Sequence, residues 1–407
     1  MSPVLNGRRF PSDRGELKAA GHGGKNAAAS GVGGLGLADG DHMLAITEHR
    51  DSARRQRTDG ISILSVATAV PEHVVTQKEV ATRAKAVWPQ FHKLEQLYAN
   101  TGIERRYACE PEDWYLKPHG WEERSDAFCR HALDLLEVVA GRAIAGAGLK
   151  PCDIDILVVN TITGIAVPSL DARLIDRMAL RSDVERLPVF GFGCGGGVAG
   201  LSRAAQLARA APSANVLFLT IDLCSLCLRI DDPSIEMFVS AALFGDGAVA
   251  VVLRAGAHDQ RPGPAPPAKF AASGEHLWRG TGRIMGWDMK HDGFGVVLSP
   301  ELPALMQGNL GGALAGFLAR HGLAIQDFDG FLFHPGGRKV LETAREVLAL
   351  DDDALRHSWS VLRNYGNMSS ATALFVLDEA IRQGARGRHL LAAFGPGFSA
   401  YFAVLEL

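Results

Sequence analysis

The sequence predicts an α/β protein built from two copies of one strand–helix–strand unit, and three observations carry the prediction. Apolar runs of strand length alternate with longer runs of helical length throughout positions 61–407. The stretch Arg261-Pro262-Gly263-Pro264-Ala265-Pro266-Pro267, within a break at 256–269, continues neither helix nor sheet and divides this body in two. Landmarks on either side of the break then recur at a nearly fixed offset, the mark of an internal duplication.

In chain order, residues 1–60 come first and stand apart. They are rich in Gly, Ala, Ser and Arg, with too little apolar surface to offset the entropy of ordering, so this extension is expected to be disordered. It has no apolar segment of the kind a secretory signal needs, and its Arg54-Arg55-Gln56-Arg57 cluster reads as solvated. The ordered body is expected to start at Ile61, where Ile61-Ser62-Ile63-Leu64-Ser65-Val66 alternates as a strand does. The first half, 61–260, then has a helix ending at Gly148-Leu149, the Asp153-Ile154-Asp155 turn and a strand at 156–159. The second half, 261–407, has a helix ending at Gly322-Leu323, Asp327-Phe328-Asp329 and a strand at 330–333, an offset of 174 residues (322 − 148). A strand at 187–192, Cys194, a helix at 195–210 and a strand at 215–220 follow in the first half. Their counterparts are 358–362, read as the matching strand, then Asn367, a helix from Ser369 to about Gln383 and a strand at 389–394, an offset of 173 (367 − 194). The apolar run 390–405 is broken by Gly395-Pro396-Gly397, so it reads as two strands about a turn and not as a membrane span.

Composition narrows the function. Lys+Arg total 42 against 45 Asp+Glu, a net charge of −3, which lacks the basic face that a nucleic-acid binder uses to displace counterions. Hydrophobic residues make up 47%, enough for a large core. Six scattered cysteines fit a reducing, cytoplasmic setting better than a disulfide scaffold. Cys224-Ser225-Leu226-Cys227 has C-x-x-C spacing but no second pair, so no metal site is expected.

Three residues have settings suited to chemistry. Cys194 lies in Phe190-Gly191-Phe192-Gly193-Cys194-Gly195-Gly196-Gly197, where glycines permit a sharp turn that lifts the side chain out of the sheet. The helix that follows directs its N-terminal N–H groups at the sulfur, an arrangement expected to favour thiolate and lower the pKa. His334 ends a strand and precedes Pro335-Gly336-Gly337, where open α/β sheets place ligands. Asn367 precedes a helix with Ser369 as its expected cap. Taken singly, each has an ordinary structural reading: a buried cysteine, a satisfied core histidine, a turn amide. The duplication changes the balance, because the offset pairs Asn367 with Cys194 and brings the two helix starts to one cleft. A thiol, an imidazole and an amide there suit acyl transfer through an enolate.

Gly193-Cys194-Gly195-Gly196, Leu243-Phe244-Gly245-Asp246-Gly247-Ala248, His334-Pro335-Gly336-Gly337, Tyr365-Gly366-Asn367-Met368-Ser369-Ser370 and Phe394-Gly395-Pro396-Gly397 occur in this order. As a set they resemble the type III polyketide synthases, the chalcone and stilbene synthase-like family, over about residues 61–407. The resemblance implies a five-layered αβαβα thiolase-like fold with duplicated halves, and a homodimer. It implies that Cys194 carries an acyl group received from coenzyme A. His334 and Asn367 would bind a malonyl thioester carbonyl and stabilise the enolate left by decarboxylation, with no metal or other cofactor. Phe244 matches the family's gatekeeping phenylalanine, and Val296 falls at the second gatekeeping position, where a smaller side chain implies a wider cavity. Cys227 and Thr163 match positions lining the cavity, Val167 one that reaches the partner subunit's cavity, and Gly395, Pro396 and Gly397 the turn beside it.

The chain departs from the family at the tunnel mouth, where several basic residues usually meet the coenzyme A phosphates. Of 91–100 only Lys93 remains in place; Arg105 or Arg106 takes the role, or a carrier protein presents the donor. The expected product is an alkylresorcinol or alkylpyrone from a fatty acyl starter. The alternatives are a malonyl-primed naphthalene-type synthase, a ketoacyl synthase III-like enzyme, and a catalytically silent binding subunit.

Overall fold

Residues 60–94, 96–256 and 268–407 are described by the structure, a computed structural model. The N-terminal extension with its arginine cluster, Glu95 and the proline-rich segment 257–267 lie outside the described residues.

The first half runs β1 (Ile61–Ala69), β2 (His73–Thr76), α1 (Gln77–Val87), β3 (Arg105–Ala108), α2 (Trp121–Gly146), β4 (Ile156–Asn160) and α3 (Leu170–Met178). It continues with β5 (Glu185–Val189), α4 (Gly196–Ala210), β6 (Val216–Leu223), α5 (Ile235–Leu243) and β7 (Asp246–Ala255). The second half runs β8 (Ala268–Leu277), β9 (Met285–Met289), β10 (Phe294–Leu298), α6 (Leu302–Arg320), β11 (Gly330–Phe333) and α7 (Arg338–Val347). α8 (Arg356–Tyr365), α9 (Thr372–Arg382), β12 (Arg388–Gly395) and β13 (Ser399–Glu406) complete it.

Nine strands form one sheet in the order β11-β12-β13-β8-β1-β7-β6-β4-β5. The duplication is written in the pairing. β4 is parallel to β6, β6 antiparallel to β7 and β7 antiparallel to β1; likewise β11 is parallel to β12, β12 antiparallel to β13 and β13 antiparallel to β8. The two runs join where β1 meets β8, from Ile61 opposite Phe270 to Ile63 opposite Ala268.

Strand side chains alternate between layers, as a period of two requires. In β4, Leu157 and Val159 pack under α2 and α3, whereas Ile156 and Val158 face α4. In β12, Leu390 and Ala392 pack under α6 and α7, whereas Leu391 and Ala393 face the α4 and α9 layer. Outer helices, sheet, central helices, sheet and outer helices follow in sequence, the five-layered αβαβα arrangement of the thiolase-like fold. Among the described residues no helix is long and apolar enough to cross a membrane.

Two element expectations are corrected. Residues 358–362 form part of helix α8 and not a strand, so β5 has no partner in the second half among the described residues. The buried residues of α8 are His357, Ser358, Val361 and Leu362, a spacing of three and four that alternation in a strand would not bury. The strand read at 187–192 is β5, which leaves the sheet at Val189. The register also shifts. α4 begins at Gly196 and α9 at Thr372, an offset of 176 (372 − 196), so the residue matching Cys194 in the second copy is Ser370, and Asn367 lies three residues upstream.

Candidate active site

The turn Gly193–Gly195 and the turn Ser369–Ala371 each precede a central helix, and they face one another. Gly193 holds φ at +51°, and a Cβ there would stand 2.4 Å from Cδ of Pro396. Only glycine allows the Gly395-Pro396-Gly397 turn to lie this close beneath the nucleophile turn. Gly395 itself lies against Gly195, and Gly397 turns the chain at φ +119° into β13. These three residues support the site from below.

Cys194 sits between the two turns. The Ser369 and Asn367 side chains stand beside it and favour its thiolate, while part of its surface stays open to a cavity. Ser369 adopts φ +50°, a left-handed conformation uncommon for a residue with a side chain and a form of strain found at functional sites. Asn367 is fixed at both ends: Ser369 N–H donates to its Oδ1 at 2.8 Å, and its Nδ2 donates to the Gly336 carbonyl at 3.1 Å. Its backbone bridges to the segment around Phe244, with Asn367 N–H donating to Leu243 O and Gly245 N–H to Asn367 O, each at 2.9 Å. Phe244 thereby sits beside the amide. His334 follows β11 directly and is 2% exposed, yet neither ring nitrogen has a hydrogen-bond partner.

One cavity of about 690 Å³ is lined by Cys194, His334, Asn367 and Phe244 together. Three side chains distant in sequence therefore meet around one volume. Burial pushes the Cys194 thiol up to about 11 against the pull of Ser369 and Asn367, and the buried Asp222 carboxylate adds to the rise. Burial also holds His334 down to about 3. The lowered thiol pKa expected from the helix terminus is thus corrected: the site holds a neutral thiol and a neutral imidazole, because desolvation is the largest influence on both.

The other sequence-derived residues divide. Thr163 is buried and off the cavity; it accepts Leu223 N–H at 2.8 Å and donates to Asp222 Oδ1 at 3.3 Å. Cys227 is buried, its thiol pushed up by burial against the opposing charge of Arg124, and it too lies off the cavity wall. Val296 packs half-buried beside the cluster of Trp88, Tyr98 and Phe238 instead of on the wall. Val167 precedes a cis Pro168 and is 89% exposed in the single chain. Lys93 is exposed and off the wall. Arg106 cannot meet a phosphate: it is buried, with its guanidinium on the carbonyls of Ala241, Ala242 and Phe244 and on Gln77 Oε1. Arg105 lies on the exposed side and donates to Asn364 Oδ1 at 3.0 Å.

Sequence reasoning missed Asp222. Fully buried at the end of β6, it accepts from Ile162 N–H at 2.8 Å, Ser370 N–H at 2.9 Å and Ser370 Oγ–H at 2.5 Å. It ties the strand end after β4 to the turn that presents Ser369. An acid closing a strand that is apolar over 216–221 except at Thr220 was the available signal. Ser369 was legible only as a helix cap, and Arg338 and Lys339, both on the cavity wall, were not singled out.

Fold and site together define a condensing enzyme of the thiolase-like class. The chain matches the chalcone and stilbene synthases, N-terminal domain, over residues 49–257 and their C-terminal domain over 270–405, and it belongs to this family of type III polyketide synthases, which are acyltransferases. It is 39% identical to a 1,3,6,8-tetrahydroxynaphthalene synthase of Streptomyces peucetius subsp. caesius over 85% of this chain and 93% of that one. An alpha-pyrone synthesis polyketide synthase-like protein of Mycobacterium tuberculosis is 30% identical over 82% and 88%. The crystal structure of the 1,3,6,8-tetrahydroxynaphthalene synthase of Streptomyces coelicolor superposes with a TM-score of 0.79 at 32% identity, covering 85% of this chain and 99% of that one. Membership of this family sets aside the ketoacyl synthase III alternative.

Proposed function

We propose that this polyketide synthase loads an acyl group onto Cys194 and extends it with malonyl-coenzyme A, His334 and Asn367 holding the malonyl thioester oxygen. The observation that carries the reading is the His334 imidazole, buried without a partner on the wall shared with Cys194 and Asn367. A buried polar group left unpaired is costly, and a substrate oxygen is the partner it lacks.

In loading, the Cys194 sulfur bonds to the acyl carbonyl carbon and the bond to the coenzyme sulfur breaks. The thiol proton passes to His334, the one imidazole on the cavity wall among the described residues, and from there to the departing thiolate. In extension, the malonyl carbon–carboxylate bond breaks, carbon dioxide leaves and the electron pair moves onto the thioester oxygen. One N–H of neutral His334 and the Asn367 amide N–H not used by Gly336 donate to that enolate. The enolate carbon bonds to the acyl carbonyl carbon, and the Cys194 thiolate departs. Decarboxylation supplies the driving force, so the reading invokes no cofactor.

The wall beside the sulfur is largely apolar, with Leu243, Phe244, Met285, Leu298 and Phe394. It supports a fatty acyl starter and a resorcinol or pyrone product. A malonyl-primed naphthalene-type reaction is the second reading, favoured by the likeness to the Streptomyces peucetius synthase. Exposed Ile165, Val167 and Phe190 support a homodimer in which Val167 reaches the partner's cavity.

The test offers malonyl-CoA with starters from acetyl to icosanoyl and reads products by mass spectrometry. The parent is expected to form extended products, and Cys194→Ala none. Extension by Cys194→Ala at the parent's rate would refute the nucleophile, and a profile confined to malonyl priming would select the second reading.

A further inference from the structure

The cavity that holds Cys194 is lined by only two cations among the described residues, Arg338 and Lys339, side by side in the first turn of α7. We propose that this pair anchors the phosphate of the phosphopantetheine arm, in the role the departed tunnel-mouth residues leave open; the proposal rests on the thioester reading above. Lys93 and Arg105 are off the wall and Arg106 is committed to carbonyls, so none of the three residues expected from the sequence competes for that role.

Three features support the assignment. First, α7 spans ten residues and follows Gly337 with no side-chain cap, so its positive end is suited to an anion beside Arg338 and Lys339. Second, the same loop carries His334, buried with both nitrogens unpartnered on the same wall, and Gly336, whose carbonyl accepts from Asn367 Nδ2. A thioester carbonyl at His334 and a phosphate at Arg338 would therefore be held by the two ends of one segment. Third, the two cations share a single counterion: Arg338 Nε donates to Glu342 Oε1 at 2.7 Å and Lys339 Nζ to Oε2 at 2.9 Å. Glu342 stands on the cavity wall with them and pre-aligns the pair at the cost of competing with an incoming phosphate. Glu236, in the first turn of α5, is the remaining charge on the wall and repels an anion that drifts from α7.

The chemistry fits a phosphopantetheine thioester on coenzyme A or on a carrier protein, and the experiment separates them. Free coenzyme A binding is measured calorimetrically, and kcat/KM is compared for malonyl-CoA, a malonyl-carrier protein and malonyl-pantetheine, which has no phosphate. The double variant Arg338→Ala/Lys339→Ala is expected to weaken coenzyme A at least tenfold, about 1.4 kcal/mol. The preference for malonyl-CoA over malonyl-pantetheine should fall by the same factor. Because both side chains are more than half exposed, the effect should shrink as salt rises. An equal loss with the carrier protein assigns the pair to the phosphopantetheine phosphate and supports the anchor, whereas a loss confined to coenzyme A would assign it to the nucleotide end and overturn the proposal. An unchanged preference, or its collapse in Lys93→Ala instead, overturns it. Should the double variant not fold, Glu342→Gln decides: freeing both cations should tighten coenzyme A several-fold, and unchanged or weaker binding overturns the proposal. A parent that binds coenzyme A through this pair yet extends no thioester would sink the catalytic reading and leave the anchor standing.

Discussion

Gly197→Ala isolates the geometry on which the site depends. Gly197 is the second residue of α4, three beyond Cys194, and a Cβ there would stand 2.2 Å from the carbonyl oxygen of Ser370. That oxygen is backbone and cannot rotate away. Ordinary contact begins at 3.4 Å, so the helix and the turn that presents Ser369 and Asn367 must part by about 1.2 Å (3.4 − 2.2). Overpacking of this kind costs about 1–3 kcal/mol, which in a chain of this size lowers Tm by several degrees without unfolding it. A displacement near 1 Å at reacting groups costs on the order of 10²-fold in rate. Gly200→Ala is the control. Its Cβ would meet the Phe218 ring at 2.4 Å, a comparable overpacking one turn along the same helix and directed at the sheet. Thermal unfolding and carbon dioxide release from malonyl-CoA are measured for both. Both variants are expected to lose similar stability, and only Gly197→Ala to lose about a hundredfold in rate. Equal losses of rate, or a Gly197→Ala enzyme within threefold of the parent, would show that the spacing of the two turns does not set activity.

Two further perturbations follow from burial. His334, held down to about 3 in the fold against an ordinary 6.5, favours the unfolded chain whenever it is protonated, so the stability it confers is complete above about pH 6.5 and is lost as pH falls toward 3. Between about pH 7.5 and 5 the parent should lose ~2 kcal/mol more than His334→Ala in urea unfolding. Asp246, raised to about 6 by burial, acts in the opposite sense but in both proteins alike, so equal losses would mean that His334 is not buried neutral. Val296→Phe should overpack the cluster around Phe238 and lower Tm while leaving the longest accepted starter unchanged; a shortened chain-length profile would return Val296 to the cavity wall.

What the sequence revealed follows the range of the interactions involved. The strands and central helices were legible because their period reports which face is buried, and β4, β11 and β12 fall within a residue or two of the expected positions. Cys194, His334 and Asn367 were legible because strand ends and helix starts are marked by glycine, proline and polar residues. Residues 358–362 misled because the duplication was allowed to overrule their own spacing, in which burial at 357, 358, 361 and 362 already described a helix. The thiol's state was misread because a local feature, the helix terminus, is visible in sequence, whereas desolvation by distant segments is not. Cys227, Thr163 and Val296 fall near the site in sequence register yet point elsewhere, since one rotation of a side chain moves it from a wall into the core.

The mismatch between the two copies explains why only one of the two facing turns carries a cysteine. A strict repeat would place a second cysteine at the start of α9; the register instead offers Ser370, whose hydroxyl and N–H are both committed to Asp222. Between the matching strands β4 and β11 and the central helices the second copy gains two residues (176 − 174), and Asn367, three residues before Ser370, bridges Leu243 and Gly245 through its backbone. On the mechanism proposed above, the first copy supplies the atom that is acylated, and the second supplies the donors that polarise the thioester beside it. On the proposed mechanism, divergence of register on a shared scaffold divides one reaction between two halves, so Asn367→Ala should abolish extension while leaving acylation of Cys194 by an acyl-CoA detectable by mass spectrometry, and loss of both together would show that the division does not hold.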